Sequence, residues 1–295
     1  MFKNTVKFCG LMILTFFSFF YTEKTVSTIK NQDPLMMELN MIKDEYKVDA
    51  HDVIKEENNI IPGMIGCEVD VDKSYTNLKR LGTFSANLLV YKDIFPDQML
   101  ENHYDKYIIK GNKEKNMITL IFKVKEDTNI DNIVNILNNK KVKATFFIDG
   151  KFIENNIEKI KYLIKNNHEV LNYGYDNQYD KDLIAWNNNL IDRINYNNPK
   201  FCYTEDENYD ILTLCGANKM HTIIPSLIIK NNPLIEIKSG IEKGSLISFN
   251  INSKTLKELN LVINYINQKG YKIDVLSKHL KEEQLNNCKK WYVCD

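Results

Sequence analysis

From about residue 116 to residue 280 the chain alternates short β-prone apolar runs with amphipathic stretches, and this order constrains its fold more than any other feature. The run "NMITLIFKV" offers Ile118, Leu120, Ile121, Phe122 and Val124, the pattern of a strand buried on both faces. Helix-like "NIDNIVNILNNKK", strand-like "VKATFFIDG", helix-like "NIEKIKYLIKNN", strand-like "HEVLNYGY" and helix-like "DKDLIAWNNNLIDRINY" follow, and later "GSLISFNI", "KTLKELNLVINYINQKG" and "YKIDVL" repeat the rhythm. Strands separated by helices cannot pair as hairpins. They predict a parallel sheet with crossover helices, open or closed into a barrel, with any site at the carboxyl ends of its strands.

The flanks read differently. Lys3 and Lys7 precede an uninterrupted apolar run from Phe8 to Tyr21, the pattern of a signal peptide or membrane anchor over 1–21. Phe16, Phe17, Phe19 and Phe20 crowd the place where a small-residue cleavage site would stand, which favours a retained anchor. Residues 22–59 are polar and weakly helical, a spacer; 60–115, punctuated by Pro62, Gly63 and Gly66, reads as a small strand-rich subdomain; 281–295 is a tail. The expected location is extracytoplasmic, membrane-anchored or secreted. Lysine plus arginine and aspartate plus glutamate balance at 39 each, which removes the basic field a nucleic-acid binder needs. The six cysteines lack C-x-x-C spacing, so no thiolate metal site is indicated; Cys288 and Cys294 could close a small loop outside the cell or remain free thiols.

"ATFFIDGKFIENN", then "HEVLNYGYD", then "GSLISFN" and "INQKGYKIDVLS" together resemble, in order and spacing, the NodB-homology domain of polysaccharide deacetylases, carbohydrate esterase family 4, over roughly 116–280. The resemblance implies a distorted (β/α) barrel of NodB type. It also implies a divalent metal, commonly zinc, held by an Asp and two His, that activates water against an N-acetyl group of chitin-like or peptidoglycan sugars.

The family's chemical positions are changed here. Where its Thr-Phe-Asp-Asp-Gly motif carries the base and the metal carboxylate, "IFKVK" places Lys123 and Val124. Where two metal-binding histidines stand four residues apart after an Asn, Asn172 is followed by Tyr173 and then Asn177, neither a substitute for neutral imidazole. Cys202 occupies the Arg position of the Arg-x-Pro motif, and "GSLISFN" ends in Ser248, Phe249 and Asn250 instead of Leu-x-His. The reading is a degenerate family member with no metal or cofactor, more a glycan-binding or scaffolding protein of the cell envelope than an enzyme. Its alternative is an active N-deacetylase with a non-standard site. Lys123 at the end of a buried strand needs an acidic partner, and Glu205 or Asp206 stands nearest in the motif order.

Tyr173, Tyr175, Tyr179, Trp186 and Tyr203 fall near strand ends, where rings could pack on pyranose faces or fill the space left by metal and histidines. Asp176, Asp180, Asp182, Glu205 and Asp206 could in principle gather oxygen ligands for calcium or magnesium, although acidic loops are ordinarily just solvated. His168-Glu169 lies at a helix-to-strand turn and reads as structural. Expected partners are a cell-wall glycan, a protein, and the membrane through the N-terminal segment; no nucleic acid is expected.

Overall fold

The structure is a computed structural model, and it describes residues 12–13, 15–18, 25, 28–176, 178–196 and 200–284. The expected signal or anchor therefore falls mostly outside the described residues, as do Asn177, Cys288 and Cys294. No helix among the described residues is long and apolar enough to cross a membrane.

In chain order the strands are β1 (Ile54–Glu56), β2 (Asn59–Ile61), β3 (Gly66–Val69), β4 (Tyr91–Ile94), β5 (Tyr107–Ile108), β6 (Met117–Val124) and β7 (Thr145–Ile148). They continue with β8 (Glu169–Asn172), β9 (Phe201–Tyr203), β10 (His221–Ile223), β11 (Leu227–Ile229), β12 (Leu246–Asn250) and β13 (Lys272–Ile273). The chain divides into two compact units, one taking residues up to Asp49 together with Gly66–Ile94, the other Ala50–Ile65 and Phe95–Leu285.

In the first unit β3 and β4 pair antiparallel beside the helices Pro34–Ile42 and Val71–Leu81. Asp33 and Asp70 cap these helices, each accepting a backbone N–H from the first turn. Leu39, Val69, Leu78 and Leu89 form the core. The stretch 22–59 thus contains more than a spacer, because Met36 and Leu39, three residues apart, put a buried face on the first helix. The stretch 60–115, expected as one subdomain, is shared between the units: β3 and β4 belong to the first, while β2 and β5 join a sheet of the second.

The second unit contains two sheets. One has the order β11-β12-β6-β7-β8, entirely parallel, with β13 also pairing parallel to β6. The other has the order β1-β2-β5-β10-β9, in which only β1 and β2 are antiparallel. Alternation along each strand divides the side chains between two cores. Phe122, Val124, Phe146, Ile148, Ile247 and Phe249 meet the buried faces of the helices Asp131–Asn139, Ile157–Lys165 and Ser253–Gln268. Ile121, Phe147, Leu171 and Leu246 point the other way, toward Ile60, Ile108, Tyr203 and Ile223 of the second sheet. This inner core is the interior of a distorted (β/α) barrel in which β8 and β9 lie side by side without ladder hydrogen bonds.

Candidate functional site

Lys123 continues the inward row of β6 after Thr119 and Ile121, beside Phe147 on β7 and Asn250 on β12. Its side chain is 9% exposed, and its ammonium donates to Glu205, the acidic partner the sequence called for. It also stands 5.8 Å from the centre of the Tyr203 ring, a cation–π distance. The Tyr203 hydroxyl is 2.7 Å from the Ser248 hydroxyl, both buried. Tyr203 therefore forms the floor on which the ion pair rests.

Tyr173 stands edge-on to Tyr203 at 5.6 Å and to Tyr179 at 6.5 Å. The Tyr179 hydroxyl donates to the Asn172 carbonyl at 3.1 Å and accepts the Tyr203 N–H at 3.1 Å. Asn172 is in turn fixed by Asn187 and Asn188 of the helix Lys181–Ile194: its side-chain oxygen accepts from Asn187 at 2.9 Å and its amide donates to Asn188 at 2.8 Å. Burial first, then the nearby charges of Glu205 and Asp149, push the Tyr173 phenol up to about 12. Burial raises Tyr179 and Tyr203 further. None of the three can offer a phenolate near neutral pH. The cavity left among Tyr173, Tyr179, Tyr203, Thr204 and Glu205 is about 200 Å³, below the ~300 Å³ at which ordinary small-molecule sites begin. A larger cavity of about 830 Å³ lies elsewhere, along 110–114, 241–243 and Tyr271, the segments leading into β6, β12 and β13.

The other changed positions do not converge on Lys123. Val124 points to the opposite face, fully buried in the helix-side core. Asn250 is exposed at the end of β12, where its carbonyl accepts the Thr255 hydroxyl at 2.7 Å. Cys202 is bonded to Cys215, tying β9 to the helix Tyr209–Ala217. The sequence reading missed this disulfide, since a separation of 13 carries no signal of its own. It also missed Asp149, which ends β7 nearly fully buried and caps the helix Gly150–Asn155 by accepting the Lys151 N–H at 2.9 Å. The FFIDG string itself carried that signal, an Asp directly before a helix.

The aromatic set splits in two. Tyr173, Tyr179 and Tyr203 interlock in the mouth, whereas Tyr175 and Trp186 both bind Glu154, at 2.7 and 3.1 Å. The acidic set is dispersed as well: Glu205 pairs with Lys123, Asp176 with Lys151 at 2.8 Å, and Asp180 caps a helix. Among the described residues no three His, Cys, Asp or Glu side chains gather in a way that could hold a metal. A cationic ammonium, a phenol held neutral and a disulfide sulfur do not fit the family's zinc.

His168 is part of the framework. Its Nδ1 accepts the Ala144 N–H at 3.2 Å and its Nε2 faces the Asn138 side-chain oxygen at 3.1 Å, so the ring is a neutral bridge; burial and then Lys143 hold it down to about 4. Glu169 accepts from the Thr145 hydroxyl at 2.8 Å, and burial raises its carboxyl above the usual range.

Residues 110–202 match the family model described as polysaccharide deacetylase. This segment, about a third of the chain, is similar to the polysaccharide deacetylase family. The chain is also 26% identical to the uncharacterized protein YlxY of Bacillus subtilis strain 168, over 97% of this chain and 99% of that one. Its fold is similar to that of a CE4 family pseudoenzyme from Bacillus anthracis, with a TM-score of 0.66 and 23% identity over 86% of this chain and 98% of that one. The family 4 carbohydrate esterase PdaA of Bacillus subtilis shares the fold more distantly, with a TM-score of 0.52 and 17% identity over 61% of this chain and 87% of that one.

Proposed function

We propose that this protein is a catalytically inactive polysaccharide deacetylase homologue that binds glycan at the cell envelope. The observation that carries the reading is the Lys123–Glu205 pair seated on Tyr203 at the strand end where the family's base would stand. An ammonium engaged with the Glu205 carboxylate has no lone pair with which to take a proton from water, and it cannot serve as a ligand to a dication. Tyr173, at the position of the first imidazole, is half-buried and neutral, which removes a further ligand. Two features support an extracytoplasmic location, tethered or secreted. One is the basic-then-apolar start of the sequence; the other is the Cys202–Cys215 disulfide, a bond that persists in oxidising compartments.

Two measurements on the purified full chain test the proposal together. Acetate release from N-acetylated chito-oligosaccharides and from peptidoglycan, with and without added zinc or cobalt, should stay at background. Calorimetry with the same sugars should show saturable binding. Metal-dependent turnover would overturn the inactive reading, and the absence of binding to either sugar would overturn the glycan-binding one.

A further inference from the structure

The geometry points to a sugar-binding platform outside the mouth, formed by Trp186, Tyr175 and Glu154, that takes a neutral pyranose oligosaccharide. The inference rests on the glycan-binding reading above and assigns it a place. Trp186, on the helix Lys181–Ile194, leaves 46% of its surface exposed. Its one donor is already used, because the indole N–H donates to Glu154 Oε1 at 3.1 Å. What it offers to solvent is therefore apolar ring.

The Tyr175 hydroxyl donates to the other oxygen of the same carboxylate at 2.7 Å. Its ring lies against Gly150, where any Cβ would collide with it, so the close seat of this ring depends on the missing side chain. One carboxylate thus holds both rings by their polar tips. This is pre-organisation: the side-chain freedom that binding would otherwise cost is already spent.

The chemistry of the platform selects its ligand. A carboxylate has about four lone-pair sites, and two are taken by the Tyr and Trp donors, leaving acceptor capacity on an exposed Glu154. A ligand that covers the indole must bring an apolar face and also hydroxyl donors for that carboxylate. A purely apolar peptide would desolvate the charge without replacing its hydrogen bonds, and an anion would be repelled by it. A pyranose offers axial C–H groups on one face and hydroxyls around its edge. The mouth does not compete, since its tyrosine hydroxyls at 179 and 203 are engaged within the protein and its cavity is only about 200 Å³.

Trp186 and Trp291 are the two tryptophans of the chain, so a full-length Trp291→Phe variant makes Trp186 the single indole reporter. Titration with an N-acetylated chito-oligosaccharide should shift or quench its emission saturably. Calorimetry should show that Trp186→Ala weakens binding at least about tenfold, with unchanged circular dichroism because the residue is exposed. Glu154→Gln should weaken it less, since the amide keeps one acceptor. Oligosaccharide binding that leaves the Trp186 emission unmoved and is equal in Trp186→Ala would overturn the platform while leaving glycan binding intact. Absence of calorimetric binding in the parent chain would overturn both.

Discussion

Removing the carboxylate of Glu205 should cost more than removing the ammonium it serves. Lys123 is 9% exposed and Glu205 47%, so the pair lies between two regimes. Exposed pairs are worth about 0.2–1 kcal/mol, and breaking a buried one costs about 3–5 kcal/mol because an unpaired charge is left behind. In Glu205→Ala that charge is Lys123, retained in a nearly closed site with only the Tyr203 face, worth about 0.5–1 kcal/mol. A loss of about 2 kcal/mol is expected.

Lys123→Met keeps the volume and removes the desolvated charge, and half-exposed Glu205 simply rehydrates; the expected change lies between zero and a gain of about 2 kcal/mol. The double variant should then resemble Lys123→Met alone, giving a coupling of about 2 kcal/mol. Urea unfolding of the full chain near neutral pH, in the Trp291→Phe background so that emission reports the unit containing Trp186, measures all four corners of the cycle. The reasoning fails if Glu205→Ala stays within a few tenths of a kcal/mol of its parent, or if Lys123→Met loses more stability than Glu205→Ala.

Acid should weaken the fold through its buried histidines. Burial holds His168 and His221 at about 4 and His279 at about 3, against an ordinary 6.5, so the unfolded chain takes up protons first; this stability is present above 6.5 and is lost as pH falls toward those values. Replacing His168 by Gln should flatten the slope of unfolding free energy between about pH 6 and 4.5 by up to about 1.4 kcal/mol per pH unit relative to parent, and an unchanged slope in urea titrations would refute it. Removing the Cys202–Cys215 bond, which spans 13 residues, should lower stability by about 2–4 kcal/mol, read as the difference in denaturant between the parent and a Cys202→Ala/Cys215→Ala chain, both kept oxidised; equal midpoints would refute it. Val124→Asp should cost about 3 kcal/mol or more, because the new carboxyl would lie among Phe122, Phe146, Ile148 and their helices, whereas Asn250→His, at an exposed position, should be nearly neutral. A Val124→Asp chain melting with its parent would show that the carboxyl reaches water.

The parts of the fold legible in the sequence are those whose signals are local. Apolar runs at 117–124, 145–148, 169–172 and 246–250 are strands because both of their faces are covered, and the helices between them carry apolar residues at helical spacing. Strands β9, β10 and β11 are three residues each, too short for a period to emerge. The partition of 60–115 was out of reach for another reason. β5 joins β2 and β10, partners about 50 residues before it and over 100 after it, and no local pattern encodes a pairing at that distance. The need of Lys123 for an acid was readable from chemistry alone. The separation of the five aromatic residues into two groups was not, because it depends on Glu154 and on the Asn172, Asn187 and Asn188 network, asparagines that look like ordinary helix and loop residues.

Alternation along β6 separates the packing that holds the barrel from the residues at the strand ends. Inward side chains Thr119 and Ile121, and outward side chains Leu120, Phe122 and Val124, are held by two separate cores and leave the mouth to whatever follows at the strand ends. Asn250 is exposed at that end, so packing does not oppose a change there; at 123 the cost appears as a charge to be neutralised, and Glu205 meets it from the loop after β9, whereas Tyr173 is held by its ring contacts with Tyr179 and Tyr203. Position 124 behaves differently. Once it carries valine, its side chain fills the outer core, and the return of a carboxylate there is opposed by every helix packed on the sheet. A carboxylate at 123 would therefore stand at the mouth, and one at 124 would stand in the core. The ordering of stability effects between these two neighbours on one strand measures that difference, with the larger loss expected at 124.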